Sequence, residues 1–187
     1  MRYSPDHKER SRERILHEAS VLLRERGVDG VGLAEIMRHA GLTHGGFYAH
    51  FPSRDVLVEE ALSSALEESI GRLQDIAAAA PPGRKLAATV RAYLHPLHLD
   101  KPGDGCVFAA LGNDVARLSD AAKTALDRHR QRLTNLLAEG LADAGRPAES
   151  APVVLATLVG ALTLGRLQPD RAGAEALLRQ AATSILN

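Results

Sequence analysis

The sequence predicts an all-α protein of about nine helices, and three observations carry that prediction. Alanine, leucine, arginine and glutamate dominate while β-branched runs are scarce, which favours helix over strand. Apolar residues recur at three- and four-residue spacing along most of the chain. Proline and glycine cluster at intervals, as at Pro81-Pro82-Gly83 and Gly145-Arg146-Pro147, and cut that pattern into helix-length pieces.

In chain order, Ser4-Pro5-Asp6 reads as a helix start: a cap, a proline in the first turn, then an acid. Ile15, Ala19, Leu22 and Leu23 follow as one apolar stripe, and Gly27 ends the helix. A short second helix covers residues 33–40, with Leu33, Ile36, Met37 and Ala40 on its apolar face. Glu35 stands where the acid of a capping box would, but Gly32 leaves only half of the box. After a turn at Gly41, Thr43 can cap a third, very short helix that ends near Phe51-Pro52. Ser53 caps a long fourth helix running to residue 80, with Asp55 favourable in its first turn. Its stripe is Val58, Leu62, Leu66, Ile70 and Leu73.

The second half is helical too. Residues 84–99 form a helix kinked or ended near Pro96, residues 101–105 a loop, and residues 106–118 a short helix. Residues 120–144 form a long helix with Leu126, Leu133, Leu137 and Leu141 on one face, and His129, among charged neighbours, on its solvent side. Residues 152–167 and 170–186 make a last pair, separated by Gln168-Pro169. A boundary early in the fourth helix divides the chain into residues 1–55 and 56–187, and that helix belongs to both parts.

Composition bounds the function. The 23 Lys and Arg balance 23 Asp and Glu, so bulk charge does not point to nucleic acid. One cysteine, Cys106, cannot form an internal disulfide, and a cytoplasmic location is the simplest reading. The charged N-terminus lacks the apolar core of a signal peptide, and the apolar run 151–165 is short for a membrane span. No Ser-His-Asp order, phosphate loop, HExxH or dinucleotide fingerprint is present, so no enzymatic activity, metal or cofactor is expected.

The clearest signal is GLTHGGFYAHF, residues 41–51. The chain has three Tyr, three Phe and no Trp, and half of these aromatics sit in this window beside a glycine pair. Helix, glycine turn, short helix fits a helix-turn-helix, in which the second helix enters the DNA major groove with its N-terminal residues on base edges. Small residues at Gly45 and Gly46 permit close backbone approach. Thr43 and His44 can reach base edges, and Tyr48, His50 and Arg54 suit phosphate oxygens. Phe47 and Phe51 fit as core anchors. An arm with Arg2, Lys8, Arg10, Arg12 and Arg14 against Asp6, Glu9 and Glu13 adds a modest basic patch.

Residues 12–62, RERILHEASVLLRERGVDGVGLAEIMRHAGLTHGGFYAHFPSRDVLVEEAL, resemble the N-terminal domain of the TetR/AcrR family of transcriptional regulators. The resemblance lies in the glycine after the first helix, the Ala40-Gly41-Leu42 turn, the Phe47-Tyr48 and His50-Phe51 pairs, and the Pro52-Ser53-Arg54 start of the next helix. It implies a three-helix DNA-binding domain on a C-terminal helical bundle that binds a ligand and dimerises. It further implies a cytoplasmic homodimer that binds double-stranded operator DNA and represses until a small molecule or electrophile releases it. Thr43, His44 and Gly46 would then face bases, and Tyr48, His50 and Arg54 would hold phosphates. Two departures, Gly32 where a threonine or serine is usual and Gly46 where a larger residue is common, keep the operator from being inferred from relatives.

For the second half the resemblance implies a four-helix dimer interface built from the last two helices. Segment 151–165 is apolar nearly all round and must be covered on more than one side. Tyr93, His95, His98, Cys106, Phe108 and Asn113 are the candidate ligand-binding residues, because bundle ligand sites form between helices. Cys106 opens a helix, a position that favours thiolate, yet a free cysteine is most often a small buried hydrophobe. Both readings stay open, as do a protein-interaction adaptor and a thiol-based redox sensor without specific DNA binding.

Overall fold

The computed structural model describes residues 5–187, with side chains from residue 7 onward. Arg2 and the Ser4 cap lie outside the described residues, as does the Asp6 side chain. Among the described residues there are nine α-helices and no strand. They are α1 (Pro5–Arg26), α2 (Leu33–His39), α3 (Arg54–Ala78), α4 (Lys85–Tyr93), α5 (Leu97–Asp100), α6 (Val107–Val115), α7 (Asp120–Asp143), α8 (Ala151–Arg166) and α9 (Arg171–Leu186). The third element expected from sequence is a 3-10 helix, His44–Ala49, rather than an α-helix. Two glycines and six residues supply too little cooperative hydrogen bonding for α geometry, and i→i+3 bonds close instead, as from Gly46 N–H to the Thr43 carbonyl at 3.0 Å.

Helix ends follow the expected chemistry at several points. Gly27 adopts φ +82° and closes α1 with a bond from its N–H to the Leu23 carbonyl. Ser53 caps α3 by accepting from Val56 N–H at 3.2 Å. Thr43 is N-cap of the 3-10 helix in backbone terms, but its side chain makes no cap bond, so the hydroxyl is left for another acceptor or donor. Pro96 ends α4 instead of kinking it, and α5 is a single turn that restarts after it.

Two apolar clusters meet on α3. The first half of α3, through Leu57, Val58, Ala61, Leu62 and Leu66, packs on α1, α2, Phe47 and Phe51. Its second half, through Ile70, Leu73 and Ala77, joins the bundle of α4 and α7–α9. Gly140 allows α7 to approach α4 closely, since a Cβ there would sit 3.1 Å from Leu86 backbone atoms. The short α6 touches both clusters: Val107 and Leu111 lie in the first, Ala109 in the second, and Phe108 packs against each.

Candidate nucleic-acid interface and the cleft behind it

Phe47 and Phe51 stand one turn apart, fully buried, with ring centroids 5.8 Å from each other. They pin the segment between them to α1 and α3. Tyr48 has no such burial: its ring meets the edge of Phe47, yet 72% of the residue is exposed. Thr43, His44 and Gly45 are exposed beside it. Neither glycine of the pair needs positive φ, and a Cβ on Gly45 would meet nothing of the protein within 4 Å. Internal packing therefore does not demand a glycine there.

His50 is half-buried, and its Nδ1 has no hydrogen-bond partner among the described residues. Burial first, then the charges of Lys8 and Arg12 and the nearby His7, hold its pKa below the ordinary histidine value. A concave surface of about 660 Å³ joins the first turns of α1 to this segment, lined by His7, Lys8 and Ser11 on one side and Thr43, Gly46 and His50 on the other. Sequence reasoning missed His7 and Ser11. Their four-residue spacing on α1 was readable, but their adjacency to residues 43–50 is a tertiary fact.

Two expected cations are engaged elsewhere. Arg54 donates from Nη2 to the carbonyls of Val28 and Val31, bracing the loop between α1 and α2. Arg12 pairs with Glu60 of α3 and lies over the Phe51 ring, 4.6 Å from its centroid. Both tie α1 and its loop to α3.

The ligand candidates divide in the same way. Tyr93 is buried and donates its hydroxyl hydrogen to Cys106 Sγ at 2.8 Å. Burial, with the adjacent thiol, raises the Tyr93 pKa well above its ordinary value. His98 Nδ1 lies 2.8 Å from the Tyr93 carbonyl, and the Arg166 guanidinium holds the His98 carbonyl at 2.9 Å. Tyr93, His98 and Cys106 thus form one cluster, with Phe108 half-buried against both apolar clusters. His95 and Asn113 do not join it. Both are exposed: His95 accepts from Leu97 N–H at the Pro96 break, and Asn113 sits beyond the non-helical Leu111 in α6. His129 is likewise not solvent-facing; it turns toward α3, with Nδ1 3.7 Å from Glu67 Oε2.

A short helix, a glycine turn and a second short element pinned by buried aromatics have the geometry of a helix-turn-helix, the motif of many transcriptional regulators. The comparisons with known proteins agree. Residues 15–61 match the family described as bacterial regulatory proteins, tetR family. An HTH-type transcriptional regulator of Mycobacterium tuberculosis is 27% identical over 186 residues, covering 94% of each chain. The transcriptional repressor NemR of Escherichia coli is 24% identical over 171 residues, covering 81% of each. The crystal structure of reduced E. coli NemR superposes with a TM-score of 0.78 at 22% identity, over 91% of this chain and 94% of that one. A TetR-family regulator from Agrobacterium tumefaciens gives 0.81 at 21% identity, over 95% and 98%. Residues 15–61 thus match the tetR-family DNA-binding domain, and over most of its length the chain is similar to HTH-type transcriptional regulators.

Proposed function

We propose that the protein is a homodimeric repressor acting in the cytoplasm, reading its operator through residues 43–48 and released by an effector bound in the C-terminal half. The observation that carries this reading is the exposed Tyr48 beside Thr43, His44 and an unobstructed Gly45, on a segment held by two fully buried phenylalanines. Helix N-terminal amides at this point favour phosphate, and Thr43 and His44 supply base-edge contacts. Lys8 of α1 adds a cation beside the same surface.

Dimerisation through α8 and α9 is supported by what α8 leaves uncovered. Val153 and Leu164 are 69% and 53% exposed on one face of the helix, and Leu167, its C-cap, is 74% exposed. A second copy would bury them, and two recognition helices would then need a separation of about 34–36 Å to enter successive major grooves. The test is a gel shift on DNA upstream of the chain's own gene. Binding that requires Tyr48 and weakens steeply with salt supports the regulator. Absence of specific binding at low salt favours the adaptor reading instead.

For the effector, one observation favours an electrophile over a purely non-covalent ligand. Cys106 opens α6, accepts a hydrogen bond from Tyr93, and feels the positive charge of Arg166 and Arg24. Addition of the Cys106 thiol across an activated C=C bond would form a C–Sγ bond, open the π bond and pass the thiol proton to the neighbouring carbon, displacing the Tyr93 contact. An alkylation rate no faster than that of free cysteine counts against it.

A further inference from the structure

Arg24, in the last turn of α1, is buried to 8% exposure. Its three hydrogen bonds all go to neutral groups: the Ser20 carbonyl at 2.9 Å, the Ser20 hydroxyl at 3.2 Å and the Gly105 carbonyl at 2.8 Å. Among the described residues it makes no ion pair. Burial lowers its pKa from the ordinary value, and Asp104, the acid that acts on it most, is an exposed residue. A buried guanidinium without a carboxylate is costly, and of its five N–H donors these bonds leave two.

Arg24 lines a cleft of about 310 Å³ between α1, α3 and the segment 97–104. That volume lies at the small end of ligand pockets. Arg72 and Lys101 stand in the same wall as exposed cations, while Glu68, paired with Arg72, and Asp104 supply two acids. With histidines counted neutral, three cations against two acids leave the lining one positive charge, which suits a monoanion better than a dianion. Ala65 and the 56% exposed Leu97 give the cleft an apolar side.

We propose that this cleft binds a small organic carboxylate, its head group on Arg24 and Lys101 and its apolar body against Leu97 and Ala65. A carboxylate matches the fork of a guanidinium through charge-assisted bonds. The cleft adjoins the Tyr93–Cys106 pair through His98 and the Gly105 carbonyl, and none of its lining residues belongs to the segment 43–50. Its occupant would touch α1, α3 and the segment leading into α6 at once, so it would join the DNA-reading part of the chain to the effector part. That last consequence rests on the regulator reading; the binding itself does not.

The probe is benzoate, titrated by calorimetry into the full-length protein without DNA, with benzamide as the uncharged shape control. Saturable 1:1 binding of benzoate at least about tenfold tighter than benzamide is expected, since a charge-assisted bond is worth about that factor. Lys101→Gln, at an exposed residue that leaves the fold intact, should weaken benzoate about tenfold. Arg24→Gln should abolish the preference for benzoate over benzamide. Equal affinity for the two compounds, or benzoate binding undiminished in Lys101→Gln, overturns the proposal. Because no DNA is present, such a failure is distinguishable from a failed gel shift.

Discussion

Replacing Arg54 with glutamine separates two roles that one cation could play. As a phosphate ligand it would contribute to operator affinity and little to stability. In the structure its Nη2 instead donates to the carbonyls of Val28 and Val31, both in buried residues of the loop joining α1 to α2. Hydrogen bonds from charged donors are worth about 1.5–3 kcal/mol. Arg54 is half-exposed and serves both carbonyls from one nitrogen, so the pair together is taken at that range rather than twice it. For a chain of this size each kcal/mol moves the midpoint by about 2–4 °C, so a fall of about 3–12 °C is expected. Thermal unfolding at one fixed protein concentration reads it, because a dimer's midpoint depends on concentration. The salt slope of operator binding supplies the second reading, since losing one phosphate contact reduces it by about 0.9. An unchanged midpoint together with a slope reduced by that amount would refute the bracing role.

Other perturbations test other parts. Phe47→Ala removes a fully buried ring and should cost about 3–5 kcal/mol in urea unfolding; a loss below 1 kcal/mol, roughly a surface-residue value, would mean the ring is not an anchor. Tyr48→Ala should leave stability within about 0.5 kcal/mol while weakening operator DNA by about tenfold or more. Paired Val153→Glu and Leu164→Glu changes should yield a monomer in sedimentation and abolish operator binding; a dimer that persists removes α8 from the interface. His50, His98 and His129 all lie below the ordinary histidine value of 6.5, with burial the first cause in each. The folded chain therefore binds fewer protons than the unfolded one, and stability present above about pH 6.5 is lost as pH falls through the lowered folded values. Urea midpoints should decline across that window, less so in His98→Gln, and a midpoint that rises on acidification contradicts the sign.

Much of the helical frame was legible because it depends on local chemistry. Ser53, Gly27 and Pro96 act through neighbours within four residues, so their effects could be read from spacing. Phe47 and Phe51 were separable from Tyr48 for the same reason: four residues apart, they share a face. Arg54 was not legible, because its acceptors are carbonyls 23 and 26 residues upstream, and a carbonyl carries no side-chain signature. His129 was misread although a signal existed. It lies three residues after Leu126 and four before Leu133, in phase with the buried face, and the charged residues around it masked that phase. His95 and Asn113 were grouped with Cys106 by nearness in sequence, but the break at Pro96 and the irregular Leu111 turn them to the surface.

The apolar cluster beneath residues 41–51 includes Val107 and Leu111 of α6 and Leu126 of α7, residues far downstream of the fourth predicted helix. A fragment ending at residue 55 would lose those three side chains along with most of α3. It should therefore express as a poorly folded peptide, unlike a detachable reading module. The same holds for chimeras. Grafting this head onto a foreign bundle would require carrying the matching stretch of α6 and α7 with it.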